Sequence, residues 1–231
     1  MVSFSYPFSM TRIARVVVPG IPHHLTQRGV RSIDVFRSDP ERMGYLHLLR
    51  EETDRYGVEI LAWCLMTNHV HFIAIPEQET SLARAFGETH RRYTSARNAA
   101  EGVRGYLFQG RFASCPLDEP HLFAAVRYTE LNPVCAGIAQ SAWEYAWSSA
   151  RYHLGEVERD PLLKTRALMG MAVDWREFLK TGDEESLDAL RKATRTGRPA
   201  GDEAFIARLE QLTHTSLHAG KRGRPKKVEE S

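Results

Sequence analysis

His69 and His71 stand in the run Leu65-Met66-Thr67-Asn68-His69-Val70-His71-Phe72-Ile73-Ala74-Ile75. Apolar and β-branched residues fill its C-terminal side, which predicts a buried strand. Side chains two apart on a strand share a face, so the imidazoles lie side by side and Val70 turns away. Two neutral imidazoles on one rigid element make half of a metal site. The bland alternative is a pair of hydrogen-bonded structural histidines. A second pair is Tyr128 and Asn132, in Arg127-Tyr128-Thr129-Glu130-Leu131-Asn132-Pro133-Val134. Four apart on a helix, they share a face from which Glu130 points away. A phenol can attack a phosphodiester and hold the DNA end as a phosphotyrosine. It needs a metal or another cation to take up charge on the phosphoryl oxygens. The Asn132 carbonyl can join the imidazoles on that metal. Read structurally, Tyr128 is instead a half-buried aromatic, and Asn132 a helix C-cap ahead of Pro133.

The elements that must position these residues are legible in outline. Arg15 to Val18, followed by Pro22 to Thr26, reads as a first strand, closed by Gln27-Arg28-Gly29. Asp39, as N-cap before Pro40, starts a helix through about Tyr56, and Gly57 stops it. Val58 to Cys64 and His69 to Ile75 form a strand pair turning near Met66-Thr67-Asn68. Ser81 caps a second helix through about Ala99. Tyr106 to Phe112 is a short strand or extended loop, and Glu119-Pro120 opens a third helix, roughly His121 to Leu131. The order strand, helix, two strands, helix, strand, helix predicts an α+β domain of ferredoxin-like type with an antiparallel central sheet and flanking helices.

From about Glu156 the character changes. Asp160-Pro161 starts a short helical stretch, and Asp174 to Lys180, Glu184 to Lys192 and Asp202 to Leu212 read as amphipathic helices. Thr194 to Gly201 is a linker or turn. The division expected is a catalytic domain over 1–155, a helical extension over 156–220 and a basic tail over 221–231. In that tail five of the seven residues Lys221 to Lys227 are basic, and no core can form there.

Composition narrows the class of protein. With 231 residues and 42% hydrophobic content, an ordinary soluble core is affordable. No run approaches the ~18 apolar residues of a membrane span, and the first ten residues lack the pattern of an export signal. Cys64, Cys115 and Cys135 are odd in number and lack CxxC spacing, which suits reduced cytosolic thiols. A formal net charge of +2 does not announce a nucleic-acid binder. More telling is that no lysine precedes Lys164 while arginines are many. Arginine is the better fork for phosphate, although a GC-rich genome gives the same bias.

Cys64 to His71 resembles the His-hydrophobe-His core of the HUH single-strand endonucleases and transposases. Arg127 to Val134, with Ala136-Gly137, resembles the tyrosine helix of the IS200-like transposases, most of all their REP-associated tyrosine transposase branch. Three further segments fit that branch: His24-Leu25-Thr26-Gln27-Arg28-Gly29, Leu107-Phe108-Gln109-Gly110-Arg111-Phe112 and Trp147-Ser148-Ser149-Ala150. The resemblance spans about residues 11 to 155. It implies that Tyr128 is the nucleophile, becoming 5′-phosphotyrosyl-linked and leaving a 3′-hydroxyl. It implies that His69, His71 and Asn132 hold Mg²⁺ or Mn²⁺, where ligand softness alone would favour a later transition metal. Strand rejoining then needs no ATP. Thr67, where this family often has Pro, and Thr129, where it usually has Ile or Val, depart from the pattern and bear only on local packing.

Arg28, Arg91, Arg92 and Arg111 are candidates for DNA phosphates or a hairpin stem, or else solvated surface. Gly110 would allow close backbone approach to DNA. Trp143 and Trp147 can stack bases, though core packing is preferred. His23 and His24 face opposite ways, so at most one reaches the site. Arg222-Gly223-Arg224-Pro225 resembles an AT-hook, whose arginines would enter an A·T-rich minor groove, or else belongs to a non-specific polybasic tail. The expected partner is single-stranded DNA with hairpin structure, such as REP-like palindromes, bound in the cytoplasm by a monomer in preference to a dimer, with no membrane. Two alternatives stay open: a domesticated, non-catalytic hairpin-binding protein, and a zinc hydrolase completed by Glu130 or His121, of which helix phase disfavours Glu130.

Overall fold

The computed structural model describes residues 15–165, 167–168, 174–181 and 184–218. Arg222 and Arg224 lie outside the described residues. Strand β1 (His23–Arg28) leads through a 3₁₀ turn to helix α1 (Asp39–Tyr56), then to β2 (Val58–Leu65), β3 (His69–Pro76), α2 (Ser81–Glu101), β4 (Ala113–Pro116) and α3 (Glu119–Cys135). The sheet has the order β2-β3-β1-β4 with every pairing antiparallel. This is the ferredoxin-like α+β arrangement expected from the element order.

Local chemistry explains the boundaries. Ser38, not Asp39, caps α1 by accepting from the Glu41 N–H, which leaves Asp39 and Pro40 in the first turn. Gly57 ends it at φ +61°, a left-handed conformation that glycine adopts without a Cβ penalty. At α2 the cap position is Thr80, and the Ser81 hydroxyl accepts backwards from Gln78 N–H at 3.1 Å. Asp118 caps α3 by accepting from His121 N–H at 2.9 Å. That helix runs past Asn132 with Pro133 inside its last turn, so Asn132 is a helical residue and not a C-cap. Arg15 to Val18 forms no strand, because the turn at Pro19-Gly20 precedes β1. Asp160 starts no helix. Its carboxylate caps a turn by accepting from the Leu162 and Leu163 N–H groups and from the Trp63 indole.

Strand alternation sorts side chains to two faces. Leu25, Val70, Phe72 and Ala74 pack against Tyr45, Leu46 and Leu49 of α1 and Leu82 and Phe86 of α2. Fully burying one such side chain is worth about 1.5–3 kcal/mol. On the opposite face Ile73 and Cys115 meet Leu122, Ala125 and Val126 of α3. The histidines share this second face.

Beyond α3 come the one-turn α4 (Ala150–His153), α5 (Trp175–Lys180), α6 (Glu184–Thr196) and α7 (Glu203–Thr213). They are not a detached appendage. Leu162 and Leu163 join the α1/α2 core, whereas Trp175, Leu179, Leu190 and Ala193 join the α3 core. Ala200 adds a parallel bridge to Leu117 after β4, with Ala200 N–H on Pro116 O at 2.9 Å and Asp118 N–H on Ala200 O at 3.0 Å. The expected linker from Thr194 to Gly201 is therefore partly the last turn of α6 and partly a strand-like clasp.

Candidate active site

Three histidines converge on the face covered by α3. Antiparallel register sets Thr26 opposite His71 and Arg28 opposite His69. His24, two residues before Thr26, is the diagonal neighbour of His71 on the same face. Its ring stacks on that of His71 at 5.3 Å, and the His69 and His71 rings are 5.1 Å apart. His23 faces the other way, accepting from Val18 N–H and bonded to Ile21 O. Only His24 therefore reaches the site.

Helix α3 supplies the other half. Asn132 Oδ1 lies 3.2 Å from His69 Nε2, and Asn132 Nδ2 lies 3.3 Å from His71 Nε2. Tyr128, one turn earlier, sets its ring edge-on to His71 at 5.3 Å and to His24 at 5.9 Å. The i, i+4 spacing thus brings both residues onto the histidine cluster.

The hydrogen bonds assign the tautomers of His71 and His24. Asn132 Nδ2–H donates to His71 Nε2, so the ring proton of His71 is on Nδ1 and donates to His24 Nε2 at 3.0 Å. The His24 proton is then on Nδ1 and donates to the Thr194 hydroxyl at 2.8 Å. At His69 the one proton of the neutral ring serves either Asn68 Oδ1, 2.6 Å from Nδ1, or Asn132 Oδ1, 3.2 Å from Nε2. Burial keeps the rings neutral. It pushes His71 well below the ordinary imidazole value, with His24, His69 and Arg28 adding charge repulsion. It lowers His24 to about 4, and it lowers His69 with help from Arg28.

These groups line a cavity of about 700 Å³, together with Arg28, Gln109, Gly110, Arg111, Arg191, Thr194 and Arg195. The segment carrying Arg111 is laid along β1 by Gln109 N–H on Arg28 O at 2.8 Å and by Gln27 Nε2–H on Gly110 O at 3.1 Å. It is an extended loop; the strand β4 begins only at Ala113. Gly110 has φ +64°, which accounts for the glycine through backbone conformation.

Arg91 and Arg92 are not brought to this cavity. They lie on α2, behind the sheet, where Arg91 pairs with Glu88 and Arg92 with Glu51 and Glu52. Arg91 instead lines a second groove with Tyr106, Phe108 and Arg111. Trp147 packs against the α1/α2 core and Trp143 against the α3 core. Glu130 and His121 also lie elsewhere. His121 pairs with Asp118 at 2.6 Å. Glu130 is fully buried, accepting from Ser149 Oγ at 2.6 Å and Trp175 Nε1 at 2.8 Å and bonding His153 Nδ1 at 2.5 Å. Among the described residues no group of three or more His, Cys, Asp or Glu is placed to hold a metal ion.

Sequence reasoning passed over Arg191, Thr194 and Arg195, which reach the cavity from α6. The signal available was the amphipathic stripe Leu187, Leu190, Ala193, which forces the opposite, basic side of α6 to face outward or into a cleft. The docking partner could not be read from it.

A tyrosine and an asparagine on one helix are thus set against paired histidines on a ferredoxin-like sheet. Residues 20–132 match the family described as "Transposase IS200 like". Over this segment, just under half of its length, the chain is similar to that family. Among solved structures, a REP-associated tyrosine transposase bound to a REP hairpin is similar over 68% of this chain and 92% of its own, at 18% identity and a TM-score of 0.55. At that identity the likeness shows the fold. A protein of Deinococcus radiodurans R1, provisionally assigned as a transposase, is 19% identical over 55% of this chain and 96% of its own, with a TM-score of 0.38. No curated protein matches the chain.

Proposed function

We propose that the protein nicks and rejoins single-stranded DNA through a 5′-phosphotyrosine on Tyr128, acting on hairpins of the REP type. The observation that carries this is the convergence of Tyr128, His69, His71 and Asn132 at one open cavity, with His69 Nε2 and Asn132 Oδ1 turned toward each other at 3.2 Å. His69, His71 and Asn132 fit a divalent metal by their donor chemistry: two neutral imidazole nitrogens and one amide oxygen. Two nitrogens suit Mn²⁺ better than Mg²⁺. Such an ion, when bound, supplies charge stabilisation to the phosphoryl oxygens. Tyr128 provides the attacking oxygen, Asn132 and the His24–His71 hydrogen bond hold the ligand side chains in register, and Arg28 and Arg111 place positive charge where a DNA backbone would enter. Arg91 would reach a hairpin only along the second groove, and the Arg222-Gly223-Arg224 tail would add duplex affinity.

Covalent trapping tests the reading. Labelled single-stranded hairpins from the DNA flanking the gene are incubated with the protein and its Tyr128→Phe variant, with and without Mn²⁺ or Mg²⁺. A metal-dependent adduct that survives denaturing gels and vanishes in the variant is the expected result. Specific binding without any adduct would instead make this a non-catalytic hairpin-binding protein.

A further inference from the structure

Helix α6 lies outside the segment matched by the family, yet it forms one wall of the cavity. It is held there firmly. Leu190 is fully buried and Ala193 nearly so against the α3 core, and Thr194 bonds His24. The clasp of Ala200 on β4 fixes the chain that follows. From this wall Arg191 extends over the nucleophile. Its guanidinium carbon lies over the Tyr128 ring, 5.5 Å from the centroid. Asp188, one turn back, holds the same guanidinium at 3.0 Å. Arg195 lines the cavity one turn further on.

We infer that Arg191 is a catalytic residue of the tyrosine reaction, its guanidinium stabilising the phenolic oxygen as that oxygen attacks phosphorus and again as it leaves. This rests on the reading of Tyr128 as nucleophile. In the forward step the Tyr128 O–P bond forms and the P–O3′ bond breaks. The phenol proton passes to water, and water protonates the departing 3′-oxygen. Rejoining reverses this: the 3′-hydroxyl attacks, the Tyr128 O–P bond breaks, and the phenolic oxygen leaves carrying negative charge. In both directions charge passes through an oxygen within reach of a donor that the fold has already positioned. Arginine suits the role because it stays protonated throughout. Its side chain is half exposed, 46% accessible, so truncation leaves no buried void.

The test compares wild type, Arg191→Ala, Arg191→Lys and Tyr128→Phe on the same labelled hairpins with Mn²⁺. It follows the rate of adduct formation, the rate of rejoining when a 3′-hydroxyl strand is added, hairpin affinity and the thermal midpoint. Arg191→Ala is expected to slow both rates about 100-fold, as loss of one oxyanion donor does elsewhere. Affinity and midpoint should stay near wild type, and added guanidinium ion should restore part of the rate. Arg191→Lys should fall between. Wild-type rates in Arg191→Ala, with Tyr128→Phe inert, would overturn the role of Arg191 and leave the nucleophile standing. A parallel loss of affinity without guanidinium rescue would overturn it in favour of a phosphate contact, and a faster variant would make the contact a restraint. Absence of any wild-type adduct would bring down the nucleophile and Arg191 together.

Discussion

Helix α3 carries two polar clusters on opposite sides, and they differ in kind. Glu130 turns away from the cavity into a closed network, where Ser149 and Trp175 donate to its carboxylate and His153 bonds it, all four side chains within the fold. Tyr128 and Asn132 turn toward an open cavity, where Asn132 meets the ring nitrogens of His69 and His71 beside solvent. A buried carboxylate with every partner in place ties α3 to α4 and α5 and asks for nothing more. The other cluster lines an open cavity with room for a ligand. Two residues of helix separate them, which shows that burial of a polar group says little about function until its partners are counted.

The sharpest way to break this contrast is at Tyr128. Tyr128→Phe should abolish the covalent adduct while leaving the thermal midpoint and hairpin affinity nearly unchanged. A variant that still forms the adduct would remove Tyr128 from the chemistry. Next, His71→Ala should abolish nicking and lower Mn²⁺ affinity measured by calorimetry. Wild-type nicking in this variant would break the metal assignment. The closed cluster should respond in the opposite currency. Glu130→Ala leaves His153, Ser149 and Trp175 without their acceptor, a loss of about 3 kcal/mol. In a chain of this length that is a fall of roughly 6–12 °C in thermal midpoint, while surviving folded protein still forms the adduct. Equal damage to adduct formation would mean that the two clusters are coupled.

A smaller effect concerns pH. Burial lowers His23 to about 4 and His90 to about 3, against some opposing backbone hydrogen bonding at His23. In the unfolded chain both titrate near 6.5. Below that pH the unfolded state binds protons that the folded state refuses, so stability falls as pH drops from 6.5 toward 4. The slope is at most about 1.4 kcal/mol per pH unit for each histidine. Denaturant melts at pH 7 and pH 5 measure it, and a flat profile would mean that both rings are protonated in the fold.

Much of the fold was legible. Turn residues and alternation located β2 and β3, the stop at Gly57 and the α1 helix, because such features depend on neighbours in sequence. The caps at Ser38 and Thr80 were displaced by one residue, since a cap is decided by where the backbone first turns helical. Asn132 read as a possible helix end because Pro133 follows, but tertiary packing carries α3 on to Cys135. The His69–His71 pair and the Tyr128–Asn132 pair each follow from a local period, two on a strand and four on a helix. Their meeting does not follow from either.

The sequence by itself determined the strand that pairs the imidazoles, the helix face that pairs phenol with amide, and the family motifs at the right order and spacing. These are short-range facts, set by backbone geometry. Tertiary structure alone decided the rest: that His24 and not His23 orients His71, that Arg92 pairs with Glu51 and Glu52 behind the sheet, and that α6 brings Arg191 to Tyr128. Each of these joins residues far apart in the chain. Thr194 and His24, for instance, are 170 positions apart, and such a contact is fixed by how apolar faces close on one another and by no pattern local to either residue.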